Sequence, residues 1–208
     1  MTPTRTRLSA DDRRLQLITE AEKLIRTTGF QGFSISALAD ACGLTRAGVL
    51  HHVGSKDRLL IEVLESKERE SGTETLAVVI AEGRTDARTI LDLLMRRNLE
   101  RPEITHLFTV LAAESLSPDH PAHDYFAERL RRGAARLTPL LAGSIEEPEQ
   151  AAFEILSFMD GLQLNWLRDR RLDAWALWTG FADRYLPRPA SPTTVEKRPP
   201  RAAADSAQ

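Results

Sequence analysis

Cysteine and long apolar runs are what this sequence most clearly lacks. Its 208 residues include one cysteine, so no disulfide can form within the chain, and a reducing compartment is the expected setting. No segment approaches the roughly 20 apolar residues needed to cross a membrane, and the N-terminus lacks the apolar core of a signal peptide. We therefore expect a cytoplasmic protein with no membrane partner.

Signatures of catalysis and metal binding are also missing. The sequence contains no Ser/His/Asp or Cys/His arrangement and no phosphate-binding loop, which argues against an enzyme. His120 and His123 are close in sequence, but Pro121 between them disturbs the helical register that a shared metal would need. Cys42 falls on the apolar face of a predicted helix, where buried packing is expected rather than redox sensing. No metal and no cofactor are therefore predicted.

The charges are distributed unevenly along the chain. Residues 1–60 carry nine Lys and Arg against six Asp and Glu, whereas residues 61–186 carry fifteen against twenty-two. The net charge of the whole chain, −2, conceals this difference. A basic head on an acidic body suits a protein that contacts DNA at one end only.

The segment 33–60 has the pattern of a helix-turn-helix. Ser34 is placed to cap the start of a first helix, Gly43 to end it in a left-handed turn, and Thr45 to begin the next helix. We predict the motif over about residues 34–53, with its second helix in the major groove of DNA. Apolar residues recur at three- and four-residue steps along one face of the first helix: Ile35, Leu38, Ala39 and Cys42.

The second helix of this motif carries donors and little bulk on its free face. Gly48 in its interior costs about 1 kcal/mol relative to alanine, and close approach to a phosphate backbone would explain it. Lys56 follows Ser55 at the start of another helix, where exposed N–H groups attract anions. We expect Arg46 and an exposed histidine to reach base edges, while Lys56 and the hydroxyls contact phosphates. The predicted DNA-binding residues are Ser34, Ser36, Thr45, Arg46, Gly48, His51, His52 and Lys56.

These motifs resemble the DNA-binding domain of the TetR (tetracycline-repressor-like) family of one-component bacterial regulators. The resemblance implies an all-α fold, with an N-terminal three-helix helix-turn-helix domain and a C-terminal helical domain for ligand binding and dimerisation. Leu50 departs from the family pattern, because Tyr is usual there and its hydroxyl contacts a phosphate. Val53 stands where Phe is usual, which shrinks a core side chain. The matching text is Thr28-Gly29-Phe30, Ser34-Ile35-Ser36-Ala37-Leu38-Ala39, Gly43-Leu44-Thr45 and His51-His52-Val53-Gly54-Ser55-Lys56-Asp57-Arg58-Leu59.

The predicted organisation has four segments. Residues 1–8 are a flexible basic arm, residues 9–62 the DNA-binding domain, residues 63–186 the helical ligand-binding and dimerisation domain, and residues 187–208 a disordered tail rich in Pro, Ala and Ser. A fourth helix is expected to end near Gly72. Further helices are predicted near 74–82, 86–100, 102–116, 121–142, 147–170 and 173–186, with breaks at glycines and prolines, among them Gly83.

The last two predicted helices are apolar on more than one side. A helix of this kind must be covered on more than one side, which predicts a four-helix bundle between two copies of the chain. The alternative is that both helices are core of a single chain. A two-fold dimer would present two recognition helices to a palindromic operator. The predicted interface residues are Ile155, Phe158, Leu162, Trp175, Trp178 and Phe181.

A ligand pocket is implied mainly by the family resemblance. It predicts a ligand-responsive repressor that a small hydrophobic or amphipathic effector releases from double-stranded DNA. Two other functions stay open at this point: a helical protein-interaction adaptor, and a small helical enzyme without DNA binding. Plain core is the alternative interpretation of each pocket residue. The residues predicted to line the pocket are Met95, Leu99, His106, Phe108, Leu111, Phe126, Met159, Gln163 and Trp166.

Overall fold

The chain forms a bundle of α-helices, as the sequence predicts. The structure, a computed structural model, describes residues 9–82 and 86–186, and for residues 73–82 it describes the backbone alone. Nine helices lie within these residues: α1 (Ala10–Gly32), α2 (Ile35–Cys42), α3 (Arg46–Val53), α4 (Lys56–Glu82), α5 (Ala87–Glu100), α6 (Pro102–Glu114), α7 (His123–Leu141), α8 (Pro148–Arg168) and α9 (Ala174–Tyr185).

Helix α4 corrects one predicted boundary. The break expected near Gly72 is wrong, because α4 continues through this residue to Glu82. Gly72 is exposed, and an isolated glycine in a helix costs about 1 kcal/mol without ending it. The predicted break at Gly83, the basic arm of residues 1–8 and the tail of residues 187–208 lie outside the described residues.

Helix α1 contains a bend near its C-terminal end. The helix begins as predicted, since the Ser9 hydroxyl accepts a hydrogen bond from the Asp12 backbone N–H at 3.1 Å. At Gly29 the backbone leaves the helical region, with φ +68° and ψ 173°, a conformation that glycine adopts at low cost. The bend turns Phe30 inward, where its side chain is buried.

The buried apolar residues form two clusters. The N-terminal cluster joins α1, α2, α3 and the first half of α4 to α6, through Leu107 and Leu111 of that helix. The C-terminal cluster joins α5, α7, α8 and α9. Helix α6 therefore belongs to the C-terminal half in sequence but packs against the head of the molecule.

A partly buried polar network fastens α5 to α9. The Trp178 indole Nε1–H donates to Asp92 Oδ1 at 2.7 Å. The Arg88 guanidinium, itself buried, bonds Asp92 at 3.0 Å and Asp183 at 2.8 Å. Buried charges are tolerated when they are paired in this way, so the network fixes how these two helices meet.

No described helix is long and apolar enough to span a membrane. Across the same part of the chain, no group of three or more His, Cys, Asp and Glu side chains gathers as a metal site would require. The two neighbouring histidines have separate contacts: His120 Nδ1 accepts from the Ala122 backbone N–H at 3.2 Å, and His123 Nδ1 lies 2.8 Å from the Ser115 carbonyl.

The buried position of Cys42 predicts low thiol reactivity. Its side chain belongs to the N-terminal cluster, and burial raises the pKa of its thiol. A raised pKa reduces the fraction of thiolate at any given pH, and thiolate is the reactive form. At pH 8 we expect a disulfide reagent such as DTNB to label the native chain on the order of 100-fold more slowly than the denatured chain. Equal rates in both states would contradict the buried position.

Candidate nucleic-acid interface

The predicted caps and turn of the helix-turn-helix are present. The Ser34 hydroxyl accepts from the Ala37 N–H at 3.1 Å, and the Thr45 hydroxyl accepts from the Gly48 N–H at 3.0 Å. Between them Gly43 adopts the left-handed conformation, with φ +61° and ψ 40°. Each capping hydroxyl uses a lone pair for its cap, so its own O–H remains able to donate to a phosphate oxygen.

Helix α3 is anchored by its valines and exposes its donors. Val49 and Val53 are buried in the N-terminal cluster, whereas Arg46 and His51 are exposed. The rings of His51 and His52 meet edge-on, with centroids 5.5 Å apart. An amphipathic helix held this way presents side chains that can read base edges.

Gly48 and Leu50 of α3 each lie against neighbouring side chains. A Cβ added at Gly48 would lie 3.2 Å from the Thr45 hydroxyl oxygen, so the glycine gives room to the cap as well as to an approaching backbone. Leu50 is half-buried against the N-terminal cluster. The aliphatic side chain serves packing there and offers no hydroxyl to a phosphate. Ser36, in the first turn of α2, is exposed.

The start of α4 holds an ammonium group above two aromatic rings. The Ser55 hydroxyl accepts from the Arg58 N–H at 3.0 Å, which caps the helix. Lys56 Nζ lies 4.3 Å from the ring centroid of Phe30 and 5.9 Å from that of Phe33. In the part of the chain that the structure describes, no carboxylate forms an ion pair with Lys56. The ammonium is therefore held by cation–π contacts and can still bind an anion.

Arg14 is a structural part of this interface that sequence reasoning missed. Its guanidinium donates to the His52 carbonyl at 2.8 Å and forms an ion pair with Glu62. Glu62 also accepts from Arg58 Nε at 3.2 Å. These bonds tie the C-terminal end of α3 to α1 and α4. The partners of Arg14 lie 38 and 48 positions along the chain, so no local pattern could indicate them.

The residues predicted to line a ligand pocket do not form one group. His106 is exposed, whereas its neighbours Thr105 and Leu107 on α6 face inward. Gln163 is buried and accepts from the Asn98 side chain at 3.1 Å. The others divide between the N-terminal cluster (Phe108, Leu111, Phe126) and the C-terminal cluster (Met95, Leu99, Met159, Trp166).

Two open grooves lie elsewhere in the C-terminal half. A groove of about 270 Å³ runs beside the start of α8 and the end of α9, where Ile155, Phe181 and Tyr185 line it. A groove of about 480 Å³ lies between α7 and α8, where Pro139 and Phe153 line it. Neither groove contains a residue predicted for the ligand pocket.

The residues predicted for the dimer interface are mostly core. Trp178 has no exposed surface, so it has no area left to bury against a partner, and its assignment to the interface is wrong. Phe158 and Trp175 are half-buried. The remaining three, Ile155, Leu162 and Phe181, are also buried within the single chain.

Residues 17–63 match the family model described as bacterial regulatory proteins, tetR family. A stretch of 59 residues of the chain is similar to the HTH-type transcriptional repressor AcnR of Corynebacterium jeikeium, at 29% identity. That match covers 28% of this chain and 31% of the repressor. It therefore spans less than a third of either protein.

Solved structures extend the likeness to most of the chain. A TetR transcription regulator from Haloarcula marismortui has a TM-score of 0.70 at 18% identity, covering 84% of this chain and 96% of its own. A protein from Saccharomonospora viridis, described as a transcriptional regulator and solved in complex with choline, has a TM-score of 0.71 at 18% identity, covering 83% and 96%. At such low identity these likenesses show the fold alone.

The helix-turn-helix at the N-terminal end, with these caps, stands on a helical C-terminal half whose fold is that of solved TetR-type regulators. Residues 17–63 match the TetR-family DNA-binding domain, and the rest of the chain shares the fold of solved TetR-type regulators.

Proposed function

We propose that the chain is a cytoplasmic, ligand-responsive repressor that binds a palindromic operator as a homodimer. The observation that carries the proposal is helix α3, which buries Val49 and Val53 and leaves Arg46 and His51 exposed. Lys56, at the start of the following helix α4, supplies a cation suited to phosphate. The similarity of a 59-residue stretch to a repressor supports repression rather than activation.

A face of α8 and α9, the α8–α9 face, supports the homodimer. We define it as the exposed apolar side chains and open glycines of these two helices, namely Gly161, Leu164, Leu177, Gly180 and Tyr185. The leucines are 40% and 47% exposed and Tyr185 is 53% exposed. Nothing lies within 4 Å of a Cβ added at Gly161, and a Cβ at Gly180 would meet only the end of Arg184. Exposed apolar side chains beside open glycines suit close packing of a second copy.

An effector is the third part of the proposal. A protein of the same fold was solved in complex with choline, which supports a small organic ligand for this chain as well. We propose a hydrophobic or amphipathic molecule that binds among the helices of the C-terminal half and releases the operator. Because the fold is shared at 18% identity, the chemistry of the ligand must be found by screening.

Selection of duplexes from a random pool, followed by binding titration at several salt concentrations, tests the proposal. We expect one palindromic duplex to be enriched, with an affinity that falls as salt rises. Binding without sequence preference or salt dependence would contradict a repressor, and would return the adaptor and the helical enzyme as candidates. An ordinary scrambled duplex of the same composition is the control.

Arg46→Ala and Lys56→Ala are expected to have different effects on DNA binding. Lys56→Ala should weaken binding to the selected and scrambled duplexes alike and lower the salt slope by about one per protomer. Arg46→Ala should weaken binding to the selected duplex about 10-fold more than binding to the scrambled one, because a base contact contributes about 1–3 kcal/mol of discrimination. Fluorescence anisotropy with both duplexes measures the two ratios. The reverse pattern would refute this division of roles.

A further inference from the structure

The bend at Gly29 and Phe30 is held by a carboxylate from the C-terminal half of the chain. Glu114, the last residue of α6, accepts a hydrogen bond at Oε2 from the Phe30 backbone N–H at 3.1 Å. A Cβ added at Gly29 would lie 2.6 Å from Glu114 Oε1. The carboxylate therefore occupies space that a glycine leaves open, against a donor 84 positions away in the sequence.

The Phe30 ring connects this carboxylate to the phosphate-contacting lysine. On one side the ring meets His120 edge-to-face, with centroids 5.2 Å apart and planes at 72°. Lys56 Nζ lies 4.3 Å from the same ring centroid. The position of Lys56 thus depends on a ring that α6 and the segment between α6 and α7 hold in place.

His120 gives Glu114 a second possible partner. The His120 side chain is buried, and its Nδ1 accepts from the Ala122 N–H, so the proton of the neutral ring is on Nε2. Among the described residues Nε2 has no hydrogen-bond partner, and it lies 4.0 Å from Glu114 Oε2. That distance is too long for a hydrogen bond, and a buried donor left without a partner disfavours the arrangement. The Glu114 carboxylate thus lies near two donors and bonds only that of Phe30.

We propose that Phe30 is a positioning residue for the Lys56–phosphate contact, and that Glu114 fixes the position of Phe30 by accepting its backbone N–H. This inference rests on the proposed DNA-binding function. With this bond in place the bend is fixed, and the Phe30 ring lies where Lys56 Nζ is held above it. Without the bond, the ring is expected to hold the ammonium less well, and phosphate binding by Lys56 should weaken.

A double-mutant cycle between Phe30→Leu and Lys56→Ala tests the first half of the proposal. We expect Phe30→Leu to weaken binding of the full-length protein to the selected duplex about 3- to 10-fold and to lower the salt slope. In the Lys56→Ala background the same change should have no further effect. An equal loss in both backgrounds would overturn the inference, because Phe30 would then act independently of Lys56.

Glu114→Ala, crossed with Lys56→Ala in the same way, tests the second half and also serves if Phe30→Leu fails to fold. Its matched control is Glu103→Ala, an exposed glutamate of α6. We expect Glu114→Ala to weaken binding to the selected duplex several-fold when Lys56 is present, and to have no effect in the Lys56→Ala background. Glu103→Ala should leave binding unchanged in both. If Glu114→Ala matches its control, or acts equally without Lys56, the inference is lost. Wild-type protein that shows no salt-dependent binding would instead refute the proposed function.

Discussion

Replacing Trp178 with alanine is expected to lower the free energy of unfolding by about 3–5 kcal/mol. The side chain has no exposed surface, so its loss leaves a cavity at the centre of the C-terminal cluster. The substitution also removes the indole N–H that donates to Asp92. Chemical denaturation followed by far-ultraviolet circular dichroism measures the change.

Two further variants separate the causes of this loss. Trp178→Phe keeps most of the apolar volume but removes the donor, while Arg88 still contacts Asp92. This variant should lower the free energy of unfolding by about 1–2 kcal/mol. Trp175→Ala is the matched control, since this half-buried tryptophan contacts Arg96 at 4.2 Å. If Trp175→Ala and Trp178→Ala cost the same, the assignment of Trp178 to the core would be wrong.

Introducing charge on the α8–α9 face is expected to break the proposed dimer. In Leu164→Glu and Leu177→Glu, each carboxylate would have to be buried without a partner, which disfavours association. A dimer that contacts both half-sites of an operator binds far more tightly than a monomer that contacts one. Operator affinity should therefore fall on the order of 100-fold when the dimer is broken. Sedimentation velocity and anisotropy on the same samples measure both effects.

The control for this experiment is a glutamate placed elsewhere on the surface. Leu116→Glu changes a side chain that is 79% exposed between α6 and α7, away from the α8–α9 face. It should leave both the sedimentation coefficient and the operator affinity unchanged. A wild-type protein that sediments as a stable monomer at micromolar concentration would exclude the dimer, and unchanged association in Leu164→Glu and Leu177→Glu would place the interface elsewhere.

The local structure of the helix-turn-helix could be predicted closely from the sequence, whereas the packing of the C-terminal helices could not. The caps at Ser34 and Thr45 and the turn at Gly43 occur as predicted, because each depends on residues within a few positions in the chain. In α8 and α9 the sequence indicated apolar residues on several sides but not which side faces inward. Trp178 was therefore assigned to a partner when it belongs to the chain's own core.

The candidate site shows the same limit. The exposure of Arg46 and His51 follows from the periodicity of α3, in which the valines take the buried positions. No local sequence pattern indicates that Arg14 contacts the end of α3, or that Glu114 contacts the bend in α1. Arginine and glutamate are common surface residues, so their type alone does not mark them. Their roles come from hydrogen bonds to residues far away in the sequence.

The sequence by itself determined the helical class, the helix-turn-helix and the side chains that α3 leaves exposed, because these depend on local caps, glycines and periodicity. Only the tertiary structure decided which residues support that surface. It brought α6 against α1, placed Phe30 between His120 and Lys56, and left Leu164 and Leu177 outside the core. Those outcomes depend on how helices far apart in sequence fill shared volume, which no local pattern encodes.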